Sequence, residues 1–332
     1  MRDSPQPRLW RLDASALWKV ALGLVLGGAL LIVAARGIDL AQVQAGLARV
    51  DMLWGGLASL SVLLTTAAKI CRWYALFPSE QRPAVLLLAR ALLVGQMANA
   101  LLPARAGDIA RAYLAGIEDD TYAATALGTI AVEKAFDVLF LLLTGALAAG
   151  MTSLPAWADW TLLALSGAGL VVFLGGLAWT TEPILAWGQR WLARHPGQIG
   201  DWLLGLLRRF GLGLRSLRDL RVVLFASAWS ALVWTLAAGT NFLLFRAFGL
   251  PFSFGAALFL LMVLHVGIAP PSSPGKLGVF HALVVLSLEF LGVERSLGLA
   301  YGALLHAIVY LPQIVLGAIS FVHVRWQRER AA

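Results

Sequence analysis

The sequence predicts an all-α polytopic membrane protein, about six full spans plus two re-entrant hairpins arranged as an inverted repeat. Three observations carry this. Apolar residues make up 60% of the 332 positions, charged residues only 13%, and the mean hydropathy is +0.79, far greasier than an ordinary globular domain. The apolar runs come in lengths near the ~20 residues that cross a bilayer as a helix. Two of them are interrupted by proline and glycine, in LLPARAGD at 101–108 and PPSSPGKLG at 270–278, where helical continuation is forbidden or bent.

The net charge of +8 and the pI near 10.2 could suggest nucleic acid. Here the arginines sit in short loops beside apolar runs, which topology explains better, because cytoplasmic flanks accumulate Arg and Lys. Nucleic acid is therefore not an expected partner. Cys71 is the only cysteine, so an internal disulfide and a cysteine-built metal site are excluded. No cofactor and no metal are expected.

The chain reads as a single membrane domain over 1–332, in two halves. Arg2, Arg8 and Arg11 precede a run at 17–35 that is long enough to span, and it is read as a retained first helix rather than a cleaved leader. A short connector with Arg36, Asp39, Arg49 and Asp51 leads to a second span at 52–71, and Lys69, Arg72, Arg82 and Arg90 bring the chain back to the cytoplasmic side. The first hairpin lies near 84–117 and turns at PARAG, leaving through a short helix that starts at Ile109. Glu118, Asp119 and Asp120 mark a turn before a long helix at 122–150, and a span near 160–180 completes the first half, 17–180.

Residues 181–221 form a cytoplasmic linker in which Trp202, Leu203, Leu206, Leu207 and Phe210 recur at helical spacing opposite Arg208 and Arg209, the pattern of a helix lying on the inner leaflet. The second half, 222–322, holds a span at 222–248, a hairpin near 254–291 and a last span at 297–322. Arg325, Arg328 and Arg330 follow. Both termini are thus expected in the cytoplasm of a bacterial-type inner membrane.

Spacing suggests the repeat. Arg72 and Glu133 are 61 residues apart, Arg246 and His306 are 60; Arg72 and Asp137 are 65 apart, Arg246 and Tyr310 are 64. Proline- or glycine-broken segments at matching places in two inverted halves point to a transport site near the bilayer midplane.

The polar residues of these segments are the candidate site. Glu133 and Asp137 share one helix face, and in a membrane they need cations; Lys69, Arg72, Arg105 and Arg111 are the available ones. The carboxylates are either an ion-paired clamp between hairpin and helix or a contact for a headgroup or a proton. A helix that begins inside the membrane offers free amides and a positive dipole end, which favour an anion. Asp108 is read as the N-cap of one such helix and Ser273 of the other, with Gly107 allowing the first bend, Pro274 in the first turn of the second helix, Gly275 and Gly278 in the break, and Lys276 as an added cation. Together they suit a lipid phosphate. His281 and His306 are read as hydrogen-bonding their neighbours or facing the same site, and Gln96 and Asn99 as lining the first hairpin.

LLPARAGDIARAYL, VEKAFDVLFLLL and PPSSPGKLGVFHALVVL resemble, in order, the signatures of the lysylphosphatidylglycerol synthase transmembrane-region family, the flippase-like integral membrane proteins. The resemblance covers about 17–322. It implies a polytopic helical domain with two re-entrant elements, movement of an aminoacylated phospholipid between leaflets in the best-known members, and functional roles for Arg105, Gly107, Asp108, Arg111, Glu133, Asp137, Pro274, Gly275 and Gly278. Many members read PGG with an acidic residue after the phenylalanine, where this chain has Lys276 and His281. The soluble aminoacyl-transferase domain of some members is missing from this sequence, as is any nucleotide-binding loop. The expected function is therefore non-enzymatic: binding or translocating a phospholipid or lipid-linked headgroup. The alternatives are a non-catalytic partner of a lipid-modifying enzyme in a glycolipid, hopanoid or aminoacyl-lipid pathway, and an embedded headgroup transferase. The expected partners are a membrane lipid with an anionic headgroup and such an enzyme.

Overall fold

The computed structural model describes residues 37–79, 82–102, 106–116, 120–151, 219–269 and 274–331, with isolated positions at 164, 167, 168 and 190. The expected first span at 17–35, the span at 160–180 apart from those isolated positions, the amphipathic face at 202–210, the turn at Glu118 and Asp119, and both hairpin tips, with Arg105 and Ser273, lie outside the described residues. Among the described residues there are α-helices and one 3-10 turn, and no strand. The helices are α1 (Leu40–Ala48), α2 (Met52–Leu76), α3 (Val85–Leu101), α4 (Ala106–Ala115), α5 (Asp120–Met151), α6 (Leu220–Ala247), α7 (Phe254–Gly267), α8 (Val279–Phe290) and α9 (Arg295–Ala331), with the 3-10 turn at Pro274–Lys276.

Three of them, α2, α6 and α9 as far as Trp326, are long and apolar enough to cross a membrane. Their outward faces carry Leu57, Leu60 and Leu64 on α2 and Leu311, Val315 and Ile319 on α9, all exposed. Exposed apolar side chains at this density belong against lipid rather than water.

Acidic and hydroxyl side chains set where helices begin. Asp39, Asp51 and Asp219 accept from the amides of Ala41 (2.8 Å), Leu53 (2.8 Å) and Arg221 (2.9 Å). Ser253 caps α7. Glu294 accepts from the amide (3.0 Å) and hydroxyl (2.7 Å) of Ser296, which hold its carboxyl below the usual carboxylate range. The connector expected at 36–51 is thus not a plain loop. Asp39 caps α1 there, and Gly46 of α1 sits against Leu297 and Ala300 of α9.

Helices α2 and α6 form an antiparallel central pair. Asp51 N donates to the Ala247 carbonyl at one end (2.9 Å), and Ser61 Oγ donates to the Leu236 carbonyl further in (2.8 Å). The hairpins follow the C-terminal ends of these two helices and so start from opposite ends of the pair. In the first, α3 and α4 return on each other, and Leu88, Leu92, Ala112 and Ala115 pack against Trp73 and Phe77 near the end of α2. In the second, α7 and α8 pack with Phe245, Phe280, Leu288 and Val293 near the end of α6.

Each hairpin also leans on the long helix of the other half: α3 packs on α9, and α7 packs on α5. Close approach is set by glycines. A Cβ on Gly317 of α9 would meet Met97 and the Leu93 carbonyl of α3, and one on Gly267 of α7 would meet Leu283 of α8.

Candidate functional site

Arg72 is the hub of a buried ion cluster. Its guanidinium is fully buried (0% exposed) and reaches Glu133 Oε1 (3.1 Å) and Asp137 Oδ1 (2.8 Å), the two carboxylates one turn apart on α5. Nη1 also donates to Ser230 Oγ of α6 (3.2 Å). Arg111 of α4 meets Glu133 Oε2 (3.0 Å) and Asp108 Oδ1 (3.5 Å), and its guanidinium lies over the Trp73 ring at 4.9 Å. Lys134 spans Asp108 (3.6 Å) and Asp137 (3.9 Å). Three cations therefore face three carboxylates. The clamp reading of Glu133 and Asp137 matches this geometry, with Arg72 and Arg111 as the partners.

Two roles in the first hairpin differ from the sequence reading. Asp108 is not an N-cap: α4 begins at Ala106 and Asp108 lies in its first turn, paired to Arg111 and Lys134. Gly107 is not the bend either. It sits in helical backbone, where its missing Cβ lets the Gly95 carbonyl of α3 come in, and its amide donates to Asn99 Oδ1 (2.9 Å).

In the second break, Gly275 (φ +69°), Lys276 (φ +55°) and Gly278 (φ +89°) are left-handed. That run ends the short turn begun by Pro274, so α8 starts only at Val279; Pro274 is not in its first turn. Glycine suits such angles, while Lys276 adopts one with a Cβ.

The cluster forms one wall of a cavity of about 280 Å³. Lys69 and Thr65 of α2, Gln96 and Asn99 of α3, and Asp108 and Arg111 of α4 line it together with Asn241 of α6, His265 of α7, Lys276, and Tyr310 and Gln313 of α9. Both hairpins and both long helices contribute. Four cations (Lys69, Arg111, Lys134, Lys276) face it against three carboxylates (Asp108, Glu133, Asp137). Among the described residues Lys69 has no ion pair, and Arg111 Nη2 has no hydrogen-bond acceptor.

His281 and His306 are not in the cavity wall. They stack on each other (ring centroids 5.0 Å) and meet the Phe280 ring edge-on, and His306 stacks on Tyr310 at 4.3 Å. Arg246, the counterpart of Arg72 by spacing, is exposed over the Phe242 ring at 4.9 Å; at Tyr310 the nearby cation is Lys276, 5.7 Å from the ring. The spacing of the halves is matched, but their chemistry is not.

Sequence reasoning missed His265, Asn241 and Gln313. The signal for His265 was present: it is the one polar side chain in the apolar helix FGAALFLLMVLHVG.

These features define a multi-pass helical membrane protein with a charge-lined internal cavity. The chain matches the family described as lysylphosphatidylglycerol synthase TM region over residues 20–317 and belongs to that family. No curated protein and no solved structure matches it.

Proposed function

We propose that this protein is flippase-like: it holds the anionic headgroup of a membrane lipid in the cavity between its two hairpins and passes it between leaflets without a nucleotide. The charge balance of the cavity carries the reading. The buried cluster is neutral in itself, so Lys69 adds a positive charge that has no ion pair of its own among the described residues, in the same cavity lining as Arg111, whose Nη2 lacks an acceptor. A phosphate fits both.

The packing supports an inverted repeat of two re-entrant elements. The α2–α6 pair is antiparallel, and each hairpin rests on the other half's long helix. The hairpin arms hold 17, 10, 14 and 12 residues, or about 26, 15, 21 and 18 Å at ~1.5 Å per residue, short of the ~30 Å hydrocarbon core. In the inner-membrane orientation with both termini cytoplasmic, Ser79 faces the cytoplasm and Ala48 the opposite side. Single cysteines at these exposed positions, in a Cys71→Ser background, are expected to react with an impermeant maleimide from opposite sides of sealed vesicles. Labelling of both from one side overturns the orientation.

The function is tested in liposomes carrying a fluorescent anionic phospholipid. The wild-type protein is expected to accelerate exchange between leaflets. Lys69→Gln removes a charge-assisted contact, worth about 1.5–3 kcal/mol, so the rate at limiting lipid falls by roughly ten- to a hundredfold with the folded protein intact. Wild-type protein that leaves leaflet exchange at the rate of empty liposomes would overturn the reading.

A further inference from the structure

The cavity contains a second kind of group, an oriented acceptor. His265 Nδ1 lies 2.9 Å from the Leu261 carbonyl one turn back on α7. A carbonyl only accepts, so Nδ1 carries the proton, and in the neutral ring Nε2 is left as an acceptor. The ring is held by Trp234 of α6, with centroids 4.9 Å apart. It lines the cavity within electrostatic reach of Lys69, Asp137 and Lys276. The bond to Leu261 is the one hydrogen bond the ring makes among the described residues, so Nε2 is open to the cavity's contents. A fixed acceptor beside phosphate-binding cations is what distinguishes headgroups that carry a donor from those that do not.

We infer that His265 is the specificity-determining residue of the cavity: its Nε2 accepts a hydrogen bond from a hydroxyl or ammonium group of the lipid headgroup whose phosphate is held by Lys69 and Arg111. This rests on the lipid-binding reading above and narrows it to phospholipids with a donor-bearing headgroup. A quaternary ammonium offers no N–H or O–H and leaves Nε2 unpaired, which costs binding.

The test uses the full chain in detergent with an equimolar mixture of phosphatidylethanolamine, phosphatidylcholine and phosphatidylglycerol of identical acyl chains, read by native mass spectrometry. Ethanolamine and choline lipids carry the same net charge and differ in their donors. The wild-type protein is expected to retain the ethanolamine over the choline lipid by roughly three- to tenfold. His265→Phe, which keeps an aromatic ring against Trp234, brings that ratio to one. His265→Gln, a neutral acceptor of similar reach, restores it.

Lys69→Gln instead lowers the share of the anionic glycerol lipid and leaves the ethanolamine-to-choline ratio as it was. Equal retention of the two by wild type, or a ratio unmoved by His265→Phe, overturns the assignment. Leaflet exchange that fails while the ratio responds to His265→Phe sinks the transport reading and upholds His265. Retention of no lipid at all sinks both.

Discussion

Arg72→Ala is expected to destabilise the folded protein by about 3–5 kcal/mol, the cost of breaking a buried ion pair by removing one partner. The size follows from what is left behind. Arg72 serves Glu133, Asp137 and Ser230 at once, and it is fully buried while Glu133 is only 4% exposed. Without it, Glu133 keeps Arg111 and Asp137 keeps only the longer contact to Lys134 at 3.9 Å. Unfolding in detergent, followed by tryptophan fluorescence, measures the loss. Arg72→Met combined with Glu133→Gln removes both opposing charges and is expected to recover part of it. An Arg72→Ala protein within about 1 kcal/mol of wild type would mean that the cluster is wet and screened rather than buried. Lys69→Gln is the contrast: with no ion pair to break, it reduces lipid handling and spares stability.

Gly107→Ala carries the second large effect, and its sign is a contest. In an ordinary helix interior, Gly to Ala gains about 1 kcal/mol of helix propensity. Here the new methyl would occupy the place of the Gly95 carbonyl and press on Asn99. Backbone cannot swing aside as a side chain can, so α3 and α4 must separate. Overpacking costs about 1–3 kcal/mol, and the Asn99 bond to the Gly107 amide is lost with it. The net is a loss of stability together with a loss of lipid exchange, because the Asp108 and Arg111 side of the cavity moves away from Glu133. Gly56→Ala, where nothing lies within 4 Å of the added methyl, is the control and is expected to be neutral or slightly stabilising. A Gly107→Ala variant as stable as that control would show that the hairpin tolerates a wider crossing.

Much of the helical layout was legible in the sequence. The expected span at 222–248 is α6 at Leu220–Ala247, and the hairpin expected near 254–291 opens with α7 at Phe254–Gly267. Acidic caps and proline–glycine breaks are local signals, read within a turn of where they act. The i,i+4 relation of Glu133 and Asp137 is likewise a property of one helix. Gly107 was misread because glycine at a break has two uses, freedom of φ and room for a neighbour. Only the position of Gly95, twelve residues away in sequence, separates them. His306 was drawn toward the site by its spacing from Arg246, and His281 by its place just after the second break. Spacing measures distance along one chain and does not say which way a side chain turns within a bundle.

From composition and periodicity alone came a helical chain made for lipid, broken at two points and carrying more charge than a bilayer tolerates without pairing. The choice of partners belonged to the assembled bundle: Arg72 bonds Asp137 across 65 residues and Ser230 across 158, and His265 joins Lys69 in lining one cavity from the opposite half. Helix formation depends on neighbours a few residues apart, so it is written locally. Ion pairing in a medium without water depends on which side chains of distant helices end up within ~4 Å of each other, and packing alone decides that.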